Sequence, residues 1–262
     1  MQRVDLQYFK NWFREYISYY LELPGDRVKP IHLKEKHTER TCKEIVLLGG
    51  ECGLTPKDLL VAETIALFHD IGRFPQWEHY STFIDSSSVD HALLGIEVLN
   101  QHEILRSLPT EEKQIIENAI RYHNVRELPV HLPPRELFFA RLLRDADKLD
   151  IWRVVISELE GKGNVVEFLE GQIPVSNTYS PEMAASLKQG QVPDFSSVRN
   201  RYDMILLRLG WIFDINFPVT CRQVLERRYI ERLCNNLPQN GEVQELKGCL
   251  IAHLENCAAT PS

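Results

Sequence analysis

The chain has 262 residues, 44% of them hydrophobic, so it can bury a substantial core as one domain or as one domain with an appendage. Its net charge of −7 excludes a molecule-wide positive field for nucleic acid phosphates, so any phosphate site must be local. The longest apolar runs are far shorter than the roughly 20 residues that span a bilayer, and the first residues lack the apolar stretch of a signal peptide. We therefore expect a cytoplasmic protein with no membrane segment and with reduced cysteines.

Helical periodicity recurs along the chain, and alternating runs of strand type are almost absent, which predicts an all-α fold. Proline and glycine mark the predicted boundaries, with Pro24-Gly25 and Gly49-Gly50 after the first two helices and Pro133-Pro134 before the sixth. The predicted helices cover residues 5–22, 30–48, 56–70, 88–102, 110–123, 134–157, 180–189, 196–212, 219–235 and 242–257.

Two segments lack this periodicity and are predicted to be ordered loops, residues 73–87 and residues 161–180. The second loop divides the chain into residues 1–160, which hold nearly all the candidate chemistry, and residues 161–262, a helical region that we expect to pack on the first.

The third predicted helix is apolar and ends in His69 and Asp70, just before Gly72, which we expect to act as a C-terminal cap. A carboxylate in the last turn faces the negative end of the helix dipole, which costs a few tenths to about 1 kcal/mol, and more if the group is buried. A divalent cation would offset this cost. Taken alone, the pair is more typical of a hydrogen-bonded core histidine beside a capping aspartate than of a metal site.

Other polar residues lie on otherwise apolar helix faces, where an unpartnered polar group is costly. His37, His91 and His123 each share a face with aliphatic residues, and His91 lies one turn inside a helix that Ser87 or Ser88 would cap. Each of them could be a satisfied core residue. Their joint occurrence favours a metal site, since imidazole nitrogen and carboxylate oxygen are common metal ligands.

A carboxylate on the sixth helix completes this set. Asp147 continues an apolar face, and Asp145 and Asp150 are rivals that periodicity separates from it only weakly.

The order His37, His69-Asp70, Asp147 resembles the H…HD…D signature of the HD superfamily of metal-dependent phosphohydrolases, over about residues 30–155. The resemblance implies an all-α, HD-domain-like helical bundle with additional C-terminal helices, and it makes Asp147 the preferred last ligand. His91 and His123 resemble the extra histidines of members that hold two metals, in which Asp70 would bridge the ions. No Gly-Tyr-Pro motif follows His123, so the chain departs from the HD-GYP subgroup.

This resemblance also implies roles for residues around the predicted metals. Asp70, Arg73 and Lys148 are the predicted catalytic residues, and Arg73, His79, Arg144 and Lys148 the predicted substrate-binding residues. Arg73 follows Asp70 by three residues, where its guanidinium could hold a phosphate with two hydrogen bonds. A surface salt bridge for Arg73 and a solvated ring for His79 are the alternatives.

The predicted reaction is cleavage of a phosphoester of a small metabolite or nucleotide, monoester or diester, by a metal-activated water. One or two divalent ions would serve, and Mn, Fe, Co, Ni, Zn or Mg all suit mixed histidine and carboxylate ligands. We expect no nucleic acid partner, no membrane, and a homodimer as an option. A di-iron oxygenase of HD-like fold and a non-catalytic nucleotide-binding HD module stay open as alternatives.

Overall fold

The computed structural model describes residues 1–162, 173–174 and 176–260, and the chain forms two compact units. The described part of the first unit is Met1–Asp150, and that of the second begins at Ile151. Regular elements within the described residues are α-helices and short 3-10 helices, with no strand among them, which confirms the all-α prediction.

The first unit begins with six helices, and a seventh contains the boundary between the units. Their bounds are α1 (Arg3–Leu21), α2 (Val28–Glu51), α3 (Pro56–Phe68), α4 (Arg73–Tyr80), α5 (His91–Gln101), α6 (Thr110–Arg121) and α7 (Pro134–Leu159).

Helices α2 and α3 pack along each other in the centre of this unit. α3 starts where predicted, because the Thr55 side chain accepts a hydrogen bond from the Asp58 amide and Pro56 occupies the first helical position. The prediction that Gly49-Gly50 closes α2 is wrong, since α2 continues to Glu51. A β-carbon at Gly49 would lie 2.9 Å from a methyl of Leu54, so this glycine permits close packing.

The predicted loop at residues 73–87 is wrong over its first half, which forms α4. Its eight residues are too few to show helical periodicity, and Pro75 lies in the first turn, where no amide donor is needed. Phe74 and Trp77 are buried, and the Trp77 indole donates a 2.8 Å hydrogen bond to the Arg27 carbonyl. The aromatic residues of this segment therefore anchor a helix.

The second unit contains α8 (Pro181–Lys188), α9 (Arg201–Gly210), α10 (Pro218–Glu226), α11 (Tyr229–Cys234) and α12 (Gly241–Ala258). Most of the predicted loop at residues 161–180 lies outside the described residues. The predicted helix at 219–235 divides at Arg228, whose φ of +54° interrupts helical geometry. None of the helices described in either unit is both long and apolar enough to cross a membrane.

A disulfide joins Cys221 on α10 to Cys257 on α12. The prediction that all cysteines are reduced is therefore wrong for this pair, whose members lie 36 residues apart in sequence and carry no local spacing signal. Cys42, Cys52, Cys234 and Cys249 lie outside this disulfide.

Candidate metal centre

Six side chains predicted as metal ligands converge inside the first unit. Five of them are buried, and the Asp147 side chain is 18% exposed. His37 lies on α2, His69 and Asp70 follow the last residue of α3, His91 begins α5, His123 follows α6, and Asp147 lies on α7.

Four of these residues surround one point, which we call position A (His37, His69, Asp70 and Asp147). The His37 Nε2 atom lies 3.2 Å from His69 Nε2, 3.0 Å from Asp147 Oδ1 and 3.6 Å from Asp70 Oδ2. His69 Nε2 lies 3.6 Å from the same Asp70 oxygen and 3.7 Å from Asp147 Oδ1. Two nitrogens and two oxygens therefore face one another at the separations expected of ligands around a single ion.

The other histidines define a second point, position B (Asp70, His91 and His123). His91 Nε2 lies 2.9 Å from His123 Nε2, and these atoms lie 3.4 Å and 3.9 Å from Asp70 Oδ1. Asp70 thus presents Oδ2 to position A and Oδ1 to position B. This geometry fits the bridging role that the family resemblance implies for Asp70. Two sets of three residues could each hold a metal ion, namely His37, His69 and Asp70, and Asp70, His91 and His123.

Each histidine has its Nδ1 atom against an oxygen that can only accept a hydrogen bond. Nδ1 of His69 lies 2.8 Å from the Ala66 carbonyl, and Nδ1 of His123 lies 2.7 Å from the Ile120 carbonyl. Nδ1 of His37 and of His91 each lie 2.7 Å from a carboxylate oxygen. Each neutral imidazole therefore carries its proton on Nδ1 and directs its Nε2 lone pair into the cluster.

The chemistry of position B fits a cation. Burial and the guanidinium of Arg73 lower the pKa of His91, and burial together with His91 and His69 lowers the pKa of His123 to about 3. Both rings are therefore neutral at pH 7, and their lone pairs face each other across 2.9 Å without a proton between them. A divalent cation would remove this repulsion.

The electrostatics of position A differ. Burial would lower the pKa of His37, but hydrogen bonds with Asp147 and Asp150 outweigh burial and raise it to about 9. Burial would raise the pKa of Asp147 and of Asp70. The hydrogen bond from His37 and the nearby imidazole of His69 hold the Asp147 pKa well below its usual range, and the charge of Lys34 does so for Asp70. A metal entering position A must therefore displace a proton from His37.

A glycine brings the two positions together. A β-carbon at Gly72 would lie 2.2 Å from the His91 carbonyl oxygen and 2.6 Å from the Gly95 amide nitrogen, so only glycine lets the end of α3 approach α5 this closely. The prediction that Gly72 caps the C-terminus of α3 is wrong, because His69 occupies that position and Gly72, with a φ of −69°, directly precedes α4. The predicted serine cap of α5 is also wrong, since Asp90 caps it and His91 is the first helical residue.

The predicted substrate-binding residues have different surroundings. Arg73 is near the metals, with Nε 3.5 Å from Asp70 Oδ1, while its Nη1 donates to Gln76, to the Phe83 carbonyl and to Asp85. Part of its guanidinium therefore orders the segment after α4.

Arg144 donates to the carbonyls of Tyr122, His123, Val125 and Arg126. Its position favours holding the turn that carries His123 over contacting a phosphate.

Lys148 is buried on α7 beside Asp147, whereas His79 is exposed at the end of α4, where its ring contacts that of Tyr80. The roles of both residues stay predictions.

Sequence reasoning missed Lys34 and Asp85, and it treated Asp150 only as a rival ligand. The Lys34 ammonium lies 2.8 Å from Asp70 Oδ2 and is buried. The sequence carried a signal for Lys34, since this residue precedes His37 by three positions and therefore shares the inner face of α2. Asp85 and Asp150 are the carboxylates that hold His91 and His37.

One protein-family model matches the part of the chain that contains this site. The model of the HD domain family matches residues 35–152, a span that contains the six converging residues. No curated protein and no solved structure matches the chain.

Proposed function

We propose that this chain cleaves a phosphoester of a small metabolite or nucleotide with a metal-activated water, because it carries an HD domain at residues 35–152 and HD domains are a family of metal-dependent hydrolases. One observation carries the proposal, namely two adjacent groups of ligand atoms that share the carboxylate of Asp70. Paired divalent ions about 3.5–4 Å apart are typical of enzymes that displace groups at phosphorus.

The residues present would hold such ions without rearrangement of the fold. His37, His69 and Asp147 serve position A, His91 and His123 serve position B, and Asp70 contributes one oxygen to each. When bound, divalent ions lower the pKa of water and stabilise negative charge on phosphoryl oxygens.

Cationic side chains around the ligands supply the local positive charge that a chain of net charge −7 needs for a phosphate. Lys34 contacts Asp70 directly, and Arg73 lies 3.5 Å from the other oxygen of the same carboxylate. We propose that these two groups, with Lys148, orient the phosphoryl oxygens of the substrate, and that Asp70 holds both cations in place. Charge-assisted hydrogen bonds of this kind are about twice as strong as neutral ones.

The test is to purify the full chain without chelator, measure bound metals per chain by mass spectrometry, and assay 4-nitrophenyl phosphate and bis(4-nitrophenyl) phosphate with each metal. His69→Ala removes one ligand of position A. His253→Ala is the matched control, because His253 lies in the second unit and contacts Phe213.

We expect the rate of hydrolysis to follow metal loading. The His253→Ala control should keep this activity, and His69→Ala should lose it. The preferred substrate separates a monoesterase from a diesterase. Iron with oxygen-dependent turnover and no phosphate release would replace the proposal with a di-iron oxygenase. Tight nucleotide binding without turnover in any metal would replace it with a non-catalytic nucleotide-binding module.

A further inference from the structure

We propose that Asp150 and Asp85 are positioning residues that set the metal affinity of positions A and B separately. This inference rests on the metal centre of the proposed function. Neither residue contributes an atom to the two converging groups, and each acts through one histidine of one position.

The two positions are supported in the same way. Each has one histidine whose Nδ1 donates to the main-chain carbonyl three residues earlier, His69 to Ala66 and His123 to Ile120. Each has a second histidine whose Nδ1 donates to a carboxylate, His37 in position A and His91 in position B. A main-chain carbonyl orients an imidazole, whereas a carboxylate also makes it a stronger donor to a metal.

Asp150 is the carboxylate behind position A. Its Oδ2 lies 2.7 Å from His37 Nδ1, and it also accepts hydrogen bonds from Nε and Nη2 of Arg40, the second at 2.9 Å. Asp150 is fully buried and Arg40 is partly buried. The pair of bonds from Arg40 fixes the plane of the carboxylate, and the carboxylate in turn fixes the His37 ring.

Asp85 is the carboxylate behind position B, and it lies in the short 3-10 helix Asp85–Ser87, before α5. Its Oδ2 lies 2.7 Å from His91 Nδ1 and 3.2 Å from the Asn124 amide. Its Oδ1 accepts from Nη1 of Arg73 at 2.8 Å and from Nε2 of Gln76 at 2.9 Å. Asp85 therefore ties α4 and the turn after α6 to a ligand of position B.

The described contacts of the two carboxylates have no partner in common. Asp150 acts on α2 and Asp85 acts on α5, while the positions themselves meet at Asp70 and at the rings of His69 and His123, whose centroids lie 5.3 Å apart. Loss of either carboxylate should therefore weaken mainly its own position. Outer partners of this kind change metal affinity by about 10- to 100-fold.

The experiment measures Mn²⁺ binding to the chelator-stripped full chain by electron paramagnetic resonance of the free ion. His123→Ala isolates position A by removing a ligand of position B, and the double variant H69A/D147A isolates position B. Asp150→Asn and Asp85→Asn are then placed in each background. These substitutions keep the volume of the side chain but put an amide where each carboxylate only accepts hydrogen bonds.

We expect Asp150→Asn to raise the dissociation constant about 10- to 100-fold where position A is isolated and to leave position B within about twofold, with Asp85→Asn doing the reverse. Equal weakening of both positions by either variant, or no weakening by either, would overturn the inference. Nitrogen-15 spectra of the histidines give a second readout, since loss of a carboxylate should shift the Nδ1 resonance of one ring only.

Milder variants cover the case in which Asp150→Asn or Asp85→Asn fails to fold. Arg40→Gln removes the guanidinium that binds Asp150, at a partly buried position. Asn124→Ala removes one hydrogen-bond donor to Asp85, at an exposed position. Each should weaken its own position by a smaller factor, and weakening of the other position would overturn the inference.

Selective metal binding without phosphate release would refute only the proposed function, whereas hydrolysis with unselective binding would refute only this inference.

Discussion

The two units bury aspartate in opposite ways. In the second unit, Asp203 is fully buried in the first turn of α9 and accepts hydrogen bonds from the Ser180 amide, the Ser180 hydroxyl and the Arg199 amide. These donors are neutral, and the start of a helix favours negative charge. In the first unit, Asp70 follows the last residue of α3, where the helix dipole is unfavourable, and faces Lys34 and imidazoles.

The comparison shows how the surroundings of a structural buried carboxylate differ from those of a candidate metal ligand. The main chain and a hydroxyl satisfy Asp203 completely, so its setting calls for no external charge. Asp70 faces the Lys34 ammonium, and the Nε2 atoms of His91 and His123 lie 3.4 Å and 3.9 Å from its Oδ1, so a further cation would be stabilised among these groups. Burial and residue type are the same in both cases, and the surrounding donors differ.

The largest expected effect comes from Asp70→Asn. We expect it to lower metal content at both positions and to reduce phosphoester hydrolysis by at least about 1,000-fold, because bound metals supply several kcal/mol of transition-state stabilisation. Asp203→Asn is the matched control, and this variant should keep the metal content of the wild-type protein. Metal analysis and turnover of both variants check this, and a metal-depleted Asp203→Asn would break the comparison.

The disulfide of the second unit should contribute to stability alone. Replacing Cys221 and Cys257 by serine should lower the free energy of unfolding by about 3–4 kcal/mol, from the chain entropy of a 36-residue separation. Chemical denaturation measures the loss, and metal content should stay unchanged. Cys249→Ser, at an exposed free thiol, should change neither quantity.

Asp203→Ala should lower the free energy of unfolding by about 1–3 kcal/mol, because it leaves the partly buried amide donors of Ser180 and Arg199 without this acceptor. Denaturation curves give the loss, and the metal affinity of the first unit should equal that of the wild type. A changed metal affinity would show that the buried carboxylate of the second unit also serves the centre.

The two metal positions should differ in their response to pH. In the metal-free fold His37 has a pKa of about 9, raised above its usual 6.5, so its charged form stabilises that fold fully below pH 6.5 and stops doing so as pH rises through 9. Metal binding at position A must displace this proton, so its affinity should rise by up to about tenfold per pH unit as pH approaches 9. His123, with a pKa of about 3, holds no proton to displace between pH 6 and 8, and burial lowers the pKa of His91, so the metal affinity of position B should depend on pH less steeply than that of position A.

Titration of metal into the two single-position backgrounds at several pH values checks this prediction. Proton release measured in buffers of different ionisation enthalpy gives an independent count. Equal pH slopes at the two positions would contradict it.

Much of the site was predictable because its signals are local. Polar residues on apolar helix faces marked His37, His91, His123 and Asp147, and an aspartate at a helix end marked Asp70. The partners that support them were harder to find. Asp85 lies inside the predicted loop at residues 73–87, the first half of which forms α4, and Lys34 looks like an ordinary helix lysine until Asp70 lies beside it.

The amino-acid sequence by itself determined the all-α fold class, the family pattern and the candidate ligands, because helical periodicity and ligand chemistry act over a few residues. Only the tertiary structure decided which oxygen of Asp70 faces which histidine pair, that Gly72 permits this approach, and that Cys221 meets Cys257. Those relations depend on atoms brought within a few ångströms by packing between helices distant in sequence, and no local pattern encodes such distances.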